Sequence, residues 1–119
     1  MNQYIVPIRP RPKARPRFRG HAYTPKETLE YERAIRSYVA IQDPVLMTGA
    51  VTLNVIFQYQ RPKKAPEHKT GRPDLDNLIK GVMDALNGIL WLDDAQVVRI
   101  HAGKEYGDTD QIIIETSNA

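Results

Sequence analysis

The sequence predicts a mixed α/β (α+β) fold: a two-layer sandwich, a small mixed sheet packed against two helices, in the order β-α-β-α-β-β. Three observations predict it. Two stretches, near residues 24–42 and 75–86, place apolar side chains at helical spacing along one face. Residues 51–59 alternate apolar and polar as a half-buried strand does. Two more strand-like stretches, near 96–104 and 111–116, flank a polar turn. At 119 residues the chain is expected to form one domain, 1–119, with a single core.

In order, Gln3 to Ile8 has strand composition, and Pro7, which cannot donate to a ladder, marks an edge or a strand end. A basic residue then falls at every odd position: Arg9, Arg11, Lys13, Arg15, Arg17 and Arg19, with Pro10, Pro12 and Pro16 between. Extended, such an arm aligns its cations along one edge. Composition alone also fits a solvated tail, but the arm is tied between a strand and a helix. That helix is expected to open on a capping box, Thr24-Pro25-Lys26-Glu27, to bury Tyr31, Ala34, Ile35, Tyr38 and Val39, and to end at Asp43-Pro44.

In the strand that follows, Val51, Leu53, Val55, Phe57 and Tyr59 share one face, with Ile56 the exception on the other. Residues 60–73 form a basic loop carrying Lys63, Lys64, Lys69 and Arg72, long enough to imply function. The second helix buries Leu75, Leu78, Ile79, Val82, Met83 and Leu86 and stops at Asn87-Gly88. After Ile89-Leu90-Trp91-Leu92, where Trp91 reads as core, come Asp93 and Asp94. The final strand is expected to be the antiparallel partner of the one before it.

Composition narrows the function. Without cysteine there is no disulfide, thiolate zinc site or thiol nucleophile, and His21, His68 and His101 lack zinc spacing. No apolar run reaches membrane length and the N-terminus has no apolar signal core, so a cytoplasmic protein is expected. The net charge of +3 conceals a split: residues 1–73 hold 14 Lys and Arg against 5 Asp and Glu, residues 74–119 hold 3 against 9. The first part suits a polyanion and the second suits cations.

Asp74, Asp76, Asp93 and Asp94 bracket the second helix. Unit charges ~4 Å apart repel by about 4 kcal/mol at an effective dielectric of ~20, so gathered carboxylates need a proton or a cation. Helix capping would explain one of the first pair, and turn formation the second pair. If they meet, their hard oxygens select Mg²⁺ or Mn²⁺, and such an ion beside a basic surface is equipment for phosphodiester hydrolysis. Lys80, one turn after Asp76, reads either as an ion-pair partner or as a cation for the scissile phosphate.

The blocks Asp-Leu-Asp-Asn-Leu-x-Lys, Asp-Ala-Leu and Trp-Leu-Asp-Asp-Ala-Gln-Val, between Asp74 and Val97, resemble the RusA family of Holliday junction resolvases, which prophages often carry. The resemblance implies a homodimeric, Mg²⁺-dependent endonuclease nicking four-way DNA junctions symmetrically. It places essential aspartates at Asp74, Asp76 and Asp94, the catalytic lysine at Lys80, and Asp93 as a neighbouring acid. The regularly basic first third departs from enteric members and looks more like Gram-positive phage versions. A two-fold junction cut on two symmetric strands also fits two copies of one site. Arg11, Lys13, Arg15, Arg17, Arg19, Lys63, Lys64, Lys69 and Arg72 are the expected DNA contacts. Two alternatives are a non-catalytic basic DNA-binding protein and a Mg²⁺-dependent hydrolase of small phosphoesters.

Overall fold

The central strand of the molecule is the one with the cleanest alternation. In the computed structural model, which describes residues 2–13, 17–18 and 20–119, the elements are β1 (Asn2–Val6), β2 (Arg17–Phe18), β3 (Ala22–Tyr23), α1 (Lys26–Ala40), β4 (Val51–Gln60), α2 (Leu75–Ala85), a one-turn 3₁₀ helix (Asp94–Gln96), β5 (Val97–Gly107) and β6 (Gln111–Asn118). The main sheet has the order β1-β6-β4-β5; β4 pairs parallel with β5 and antiparallel with β6, and β1 pairs antiparallel with β6. The expected α+β sandwich with a mixed sheet and two helices is what forms.

One face of the sheet makes the core. Tyr4 and Val6, then Val51, Leu53, Val55, Phe57 and Tyr59, then Ile112 and Ile114, are buried beneath Tyr31, Ile35 and Val39 of α1 and Leu78, Val82 and Ala85 of α2. Each large apolar side chain contributes about 1.5–3 kcal/mol by leaving water. Trp91 closes one end of this core, fully buried as expected, with its indole Nε1 donating to Asn87 Oδ1 at 2.8 Å. Gly88, at φ 83°, adopts the left-handed stop that the Asn-Gly pair predicts. Ile56, out of pattern in the sequence, faces Ile113 and Gly103 across the uncovered face.

Two expectations are corrected. β5 and β6 are not partners: residues 108–110 carry the chain over the end of β4, so β6 pairs on its far side. Gln60 N donates to Asp110 Oδ1 (2.8 Å) and Gln58 Nε2 to Thr109 O (3.0 Å), fastening that crossing. The physical reason lies in the side chains: β6 has Ile112, Ile114 and Thr116 to bury and takes an inner position, whereas β5 carries Arg99, Lys104 and Glu105 and takes the edge. Second, α1 has no capping box. Pro25, extended at ψ 146°, is its N-cap and offers only its carbonyl, to Thr28 N and Leu29 N. Within the basic arm, Arg17–Phe18 is an extended strand, β2, paired antiparallel with β3.

The start of the arm is held against the body of the protein. Arg11 N donates to Tyr31 Oη (3.1 Å), Tyr59 Oη to Pro10 O (3.0 Å), and Lys13 N to Asn77 O (3.3 Å). Burial pushes the Tyr31 phenol up to about 12, against the Arg11 N–H and charge; burial also lifts Tyr59 to about 12, helped by Tyr31 and opposed by Arg9. No helix among the described residues is long and apolar enough to cross a membrane.

Candidate active site

A parallel pair of strands needs a crossover, and here it is α2. The loop from β4 therefore lies at the carboxyl ends of β4 and β5, where α/β folds place their ligands, and it delivers the chain to the amino end of α2. That end bears Asp74 and Asp76. Asp74 is the N-cap residue, extended at φ −71° and ψ 141°, but its side chain accepts no capping hydrogen bond. Simple helix capping thus does not account for its carboxylate, whose ion-pair partner is Arg72 at 3.7 Å. Asp76, in the first turn, accepts from Asn77 N at 2.9 Å and is exposed. Both acids sit where the helix dipole favours negative charge.

The loop is braced by lysines that donate to its carbonyls. Lys104 Nζ, from β5, reaches Gly71 O at 2.7 Å and Pro73 O at 2.9 Å; Lys69 Nζ reaches Arg72 O at 2.7 Å and lies 5.0 Å above the Tyr59 ring. Three consecutive carbonyls before Asp74 are thereby fixed by two cations. Lost hydration, then the charges of Lys104 and Arg9, lower the Lys69 pKa. Arg9 lies 4.9 Å from the centre of the same ring and pairs with Asp110 at 3.3 Å.

Lys104 is absent from the expected set, although one signal for it exists in the sequence. It stands at the core-facing register of β5, among Ile100, Ala102 and Tyr106, where a lysine needs an internal partner.

Lys80 is exposed on α2 and its ammonium lies 3.9 Å from Asp84. Lys13 is held more closely, 2.6 Å from Glu32 and 3.2 Å from Asp84. Burial opposes its charge, but the two acids outweigh that and raise its pKa. Its ammonium thus fastens the arm to α1 and α2. Arg11, Lys63, Lys64 and Arg72 are exposed and point basic groups to solvent. Arg15 and Arg19 lie outside the described residues, and of Arg17 only the backbone, in β2, is described.

The second pair of acids stands at the far end of α2. The helix has 11 residues, roughly 16 Å at 1.5 Å per residue, and the tight turn after it keeps the chain there. Asp93 caps the 3₁₀ helix: its carboxylate accepts from Ala95 N (2.9 Å), while Gln96 Oε1 accepts from Asp93 N (3.2 Å). The turn reading therefore holds for Asp93. Asp94 follows it, half-buried, and among the described residues its carboxylate has no ion-pair partner. Among those residues, no three or more His, Cys, Asp or Glu side chains group as a metal site within one chain. Asp74 and Asp76 stand together, and Asp93 and Asp94 stand together, but one chain does not unite the pairs.

Sequence comparison gives this geometry its context. The family model described as endodeoxyribonuclease RusA matches residues 7–117. Over 95 residues the chain is 30% identical to the uncharacterized protein YqaN of Bacillus subtilis (strain 168), covering 65% of this chain and 67% of that protein. Over 66 residues it is 38% identical to the crossover junction endodeoxyribonuclease rusA of Lactococcus phage r1t, covering 53% of this chain and 50% of that enzyme. The chain belongs to the RusA family of endodeoxyribonucleases, and is by that membership a DNA-cleaving enzyme rather than a passive basic DNA-binding protein.

Proposed function

We propose that this endodeoxyribonuclease resolves four-way (Holliday) DNA junctions in recombination and repair, nicking two strands symmetrically as a Mg²⁺-dependent homodimer in the cytoplasm. The observation that carries the reading is Asp74: an N-cap residue whose carboxylate makes no cap, beside Asp76, at the carboxyl end of a parallel strand pair. The donor chemistry fits Mg²⁺, with Mn²⁺ as a substitute, because the exposed oxygens of Asp74 and Asp76 are hard ligands and leave positions for water. Asp94, which one chain sets at the other end of α2, completes the ligand set only in the proposed homodimer, with Asp93 its supporting neighbour. When bound, the ion supplies a more acidic water and charge stabilisation for the departing oxygen.

The chain's own residues do the rest. Lys80, one turn along α2, faces the phosphate and offsets the negative charge that grows on it. Lys104 and Lys69 hold the carbonyls of residues 71–73, so that Asp74 meets the substrate in one arrangement. Arg11, Lys63, Lys64 and Arg72, with Arg15, Arg17 and Arg19, grip phosphates on either side. Lys13 and Lys69 contribute to that grip by anchoring the arm and the loop.

The test compares a labelled four-way junction, a flap and a linear duplex at one salt concentration, with Mg²⁺ and with chelator. The reading expects paired symmetric nicks in the junction, only with the metal, and little cutting of linear duplex. Equal cutting of all three would remove junction selectivity, and cutting in chelator would remove the metal.

A further inference from the structure

We infer that Lys13 is a positioning residue for the phosphate-facing Lys80: by occupying the Asp84 carboxylate that both lysines reach, the docked arm keeps the Lys80 ammonium free for the substrate. The use made of Lys80 rests on the nuclease reading; the competition of the two lysines for Asp84 does not.

The arm crosses α2 beside Lys80. Lys13 N donates to Asn77 O at 3.3 Å, and Lys13 Nζ lies 3.2 Å from Asp84 Oδ2. Asn77, Lys80 and Asp84 stand at i, i+3 and i+7, so they share one face of the helix. The Lys80 ammonium reaches the same oxygen, Asp84 Oδ2, but only at 3.9 Å. Lys13 is the better placed of the two: its side chain is 20% exposed and pairs at 2.6 Å with Glu32 as well, whereas that of Lys80 is 64% exposed. Water and salt screen a half-buried pair less than an exposed one, so Asp84 belongs first to Lys13.

Charge balance gives this competition its consequence. Among the described residues, Glu32 and Asp84 form ion pairs with Lys13 and Lys80 alone, two acids against two lysines. Arg36, also between α1 and α2, is committed to the Ala85 and Asn87 carbonyls at 2.9 and 2.8 Å. Without the Lys13 ammonium, Glu32 and Asp84 would be like charges facing the space it leaves, and Lys80 is the cation whose flexible stem can turn to them. Its ammonium would then be drawn along α2 toward Asp84, away from the end that bears Asp74 and Asp76. Glu32 acts in the opposite sense to Asp84. It draws on Lys13, so removing it leaves Lys13 wholly on Asp84 and Lys80 freer.

The first arm of the test needs neither DNA nor metal. Amine acetylation of the full chain, read at Lys80 by mass spectrometry, reports how free that side chain is, since acylation needs the unprotonated amine and a close carboxylate favours the ammonium. Lys13→Met should slow labelling of Lys80 roughly three- to fivefold, the size of a surface ion pair, and adding Asp84→Asn should restore it. The second arm is single-turnover nicking of a four-way junction in Mg²⁺ at saturating protein. There Lys13→Met should lower the rate by a similar factor, Lys13→Met with Asp84→Asn should recover it, and Glu32→Gln should nick at least as fast as wild type. If Lys13 merely anchors the arm, Glu32→Gln loses activity as Lys13→Met does, the loss lies in affinity, and Asp84→Asn deepens it; any of these overturns the inference. Unchanged labelling in a folded Lys13→Met protein overturns it too and leaves the nuclease reading standing. Should Lys13→Met not fold, Glu32→Gln decides alone: faster labelling of Lys80 supports the inference, and equal or slower labelling overturns it. Labelling that follows the expected pattern while wild type nicks no junction, or while Lys80→Met nicks like wild type, upholds the competition and removes its catalytic use.

Discussion

Replacing Lys104 by Met keeps the length and apolar stem of the side chain and removes only the ammonium that holds the Gly71 and Pro73 carbonyls at 2.7 and 2.9 Å. A hydrogen bond from a charged donor contributes about 1.5–3 kcal/mol, and water takes over part of that at a half-buried position. About 1–3 kcal/mol of the loop's preference for its observed arrangement should therefore go. As each 1.4 kcal/mol is tenfold in an equilibrium constant, the ratio of molecules with Asp74 in place to those without should fall roughly 5–150-fold. Single-turnover cleavage of a four-way junction should show this as a lower rate at saturating protein, with junction affinity changed less than threefold. Lys104→Arg should recover part of the rate. A folded Lys104→Met protein that cuts at the wild-type rate would refute the positioning role, and so would a loss confined to affinity.

Further outcomes follow from the same contacts. Trp91→Ala should cost about 3–5 kcal/mol in a denaturant titration, because it empties a fully buried site and leaves Asn87 without its donor. Tyr31 and Tyr59 keep their protons in the folded state to about pH 12, while the unfolded chain loses them near 10. The folded state thus binds more protons between those values, and stability present below pH 10 should fall as pH rises through 10 to 12. Absorbance titration should show two tyrosines ionising late, and two ordinary ones in their place would refute the burial argument. Lys63→Ala with Lys64→Ala should leave stability unchanged and lower the salt slope of junction binding by about 1–2, whereas an unchanged slope means neither touches phosphate.

How much of this was legible in the sequence depends on the range of the interaction. Periodicity located β4 and α2, because one-sided burial imprints itself on neighbouring positions, and the apolar run Ile89-Leu90-Trp91-Leu92 located the buried Trp91. The place of β6 was not legible: a short polar turn reads as a hairpin, and only the competition between Ile112 and Ile114 of β6 and the charged β5 for the inner position decides otherwise. Thr24 and Glu27 match a capping pattern, yet Pro25 takes the cap, while the box that does form, Asp93 with Gln96, was hidden by reading both aspartates as one pair. The odd-position cations of the arm read alike, but Lys13 is held by Glu32 and Asp84, acids from other elements. The distance between the two aspartate pairs was likewise invisible until β5 was known to run parallel to β4.

The central claim is that Asp74 and Asp76 are there for catalysis rather than for folding. It is tested most directly by Asp76→Asn on a four-way junction in Mg²⁺, with stability and junction binding measured on the same preparation. The account predicts a folded protein that binds the junction at least as tightly as wild type and fails to nick it. Nicking at the wild-type rate would contradict it.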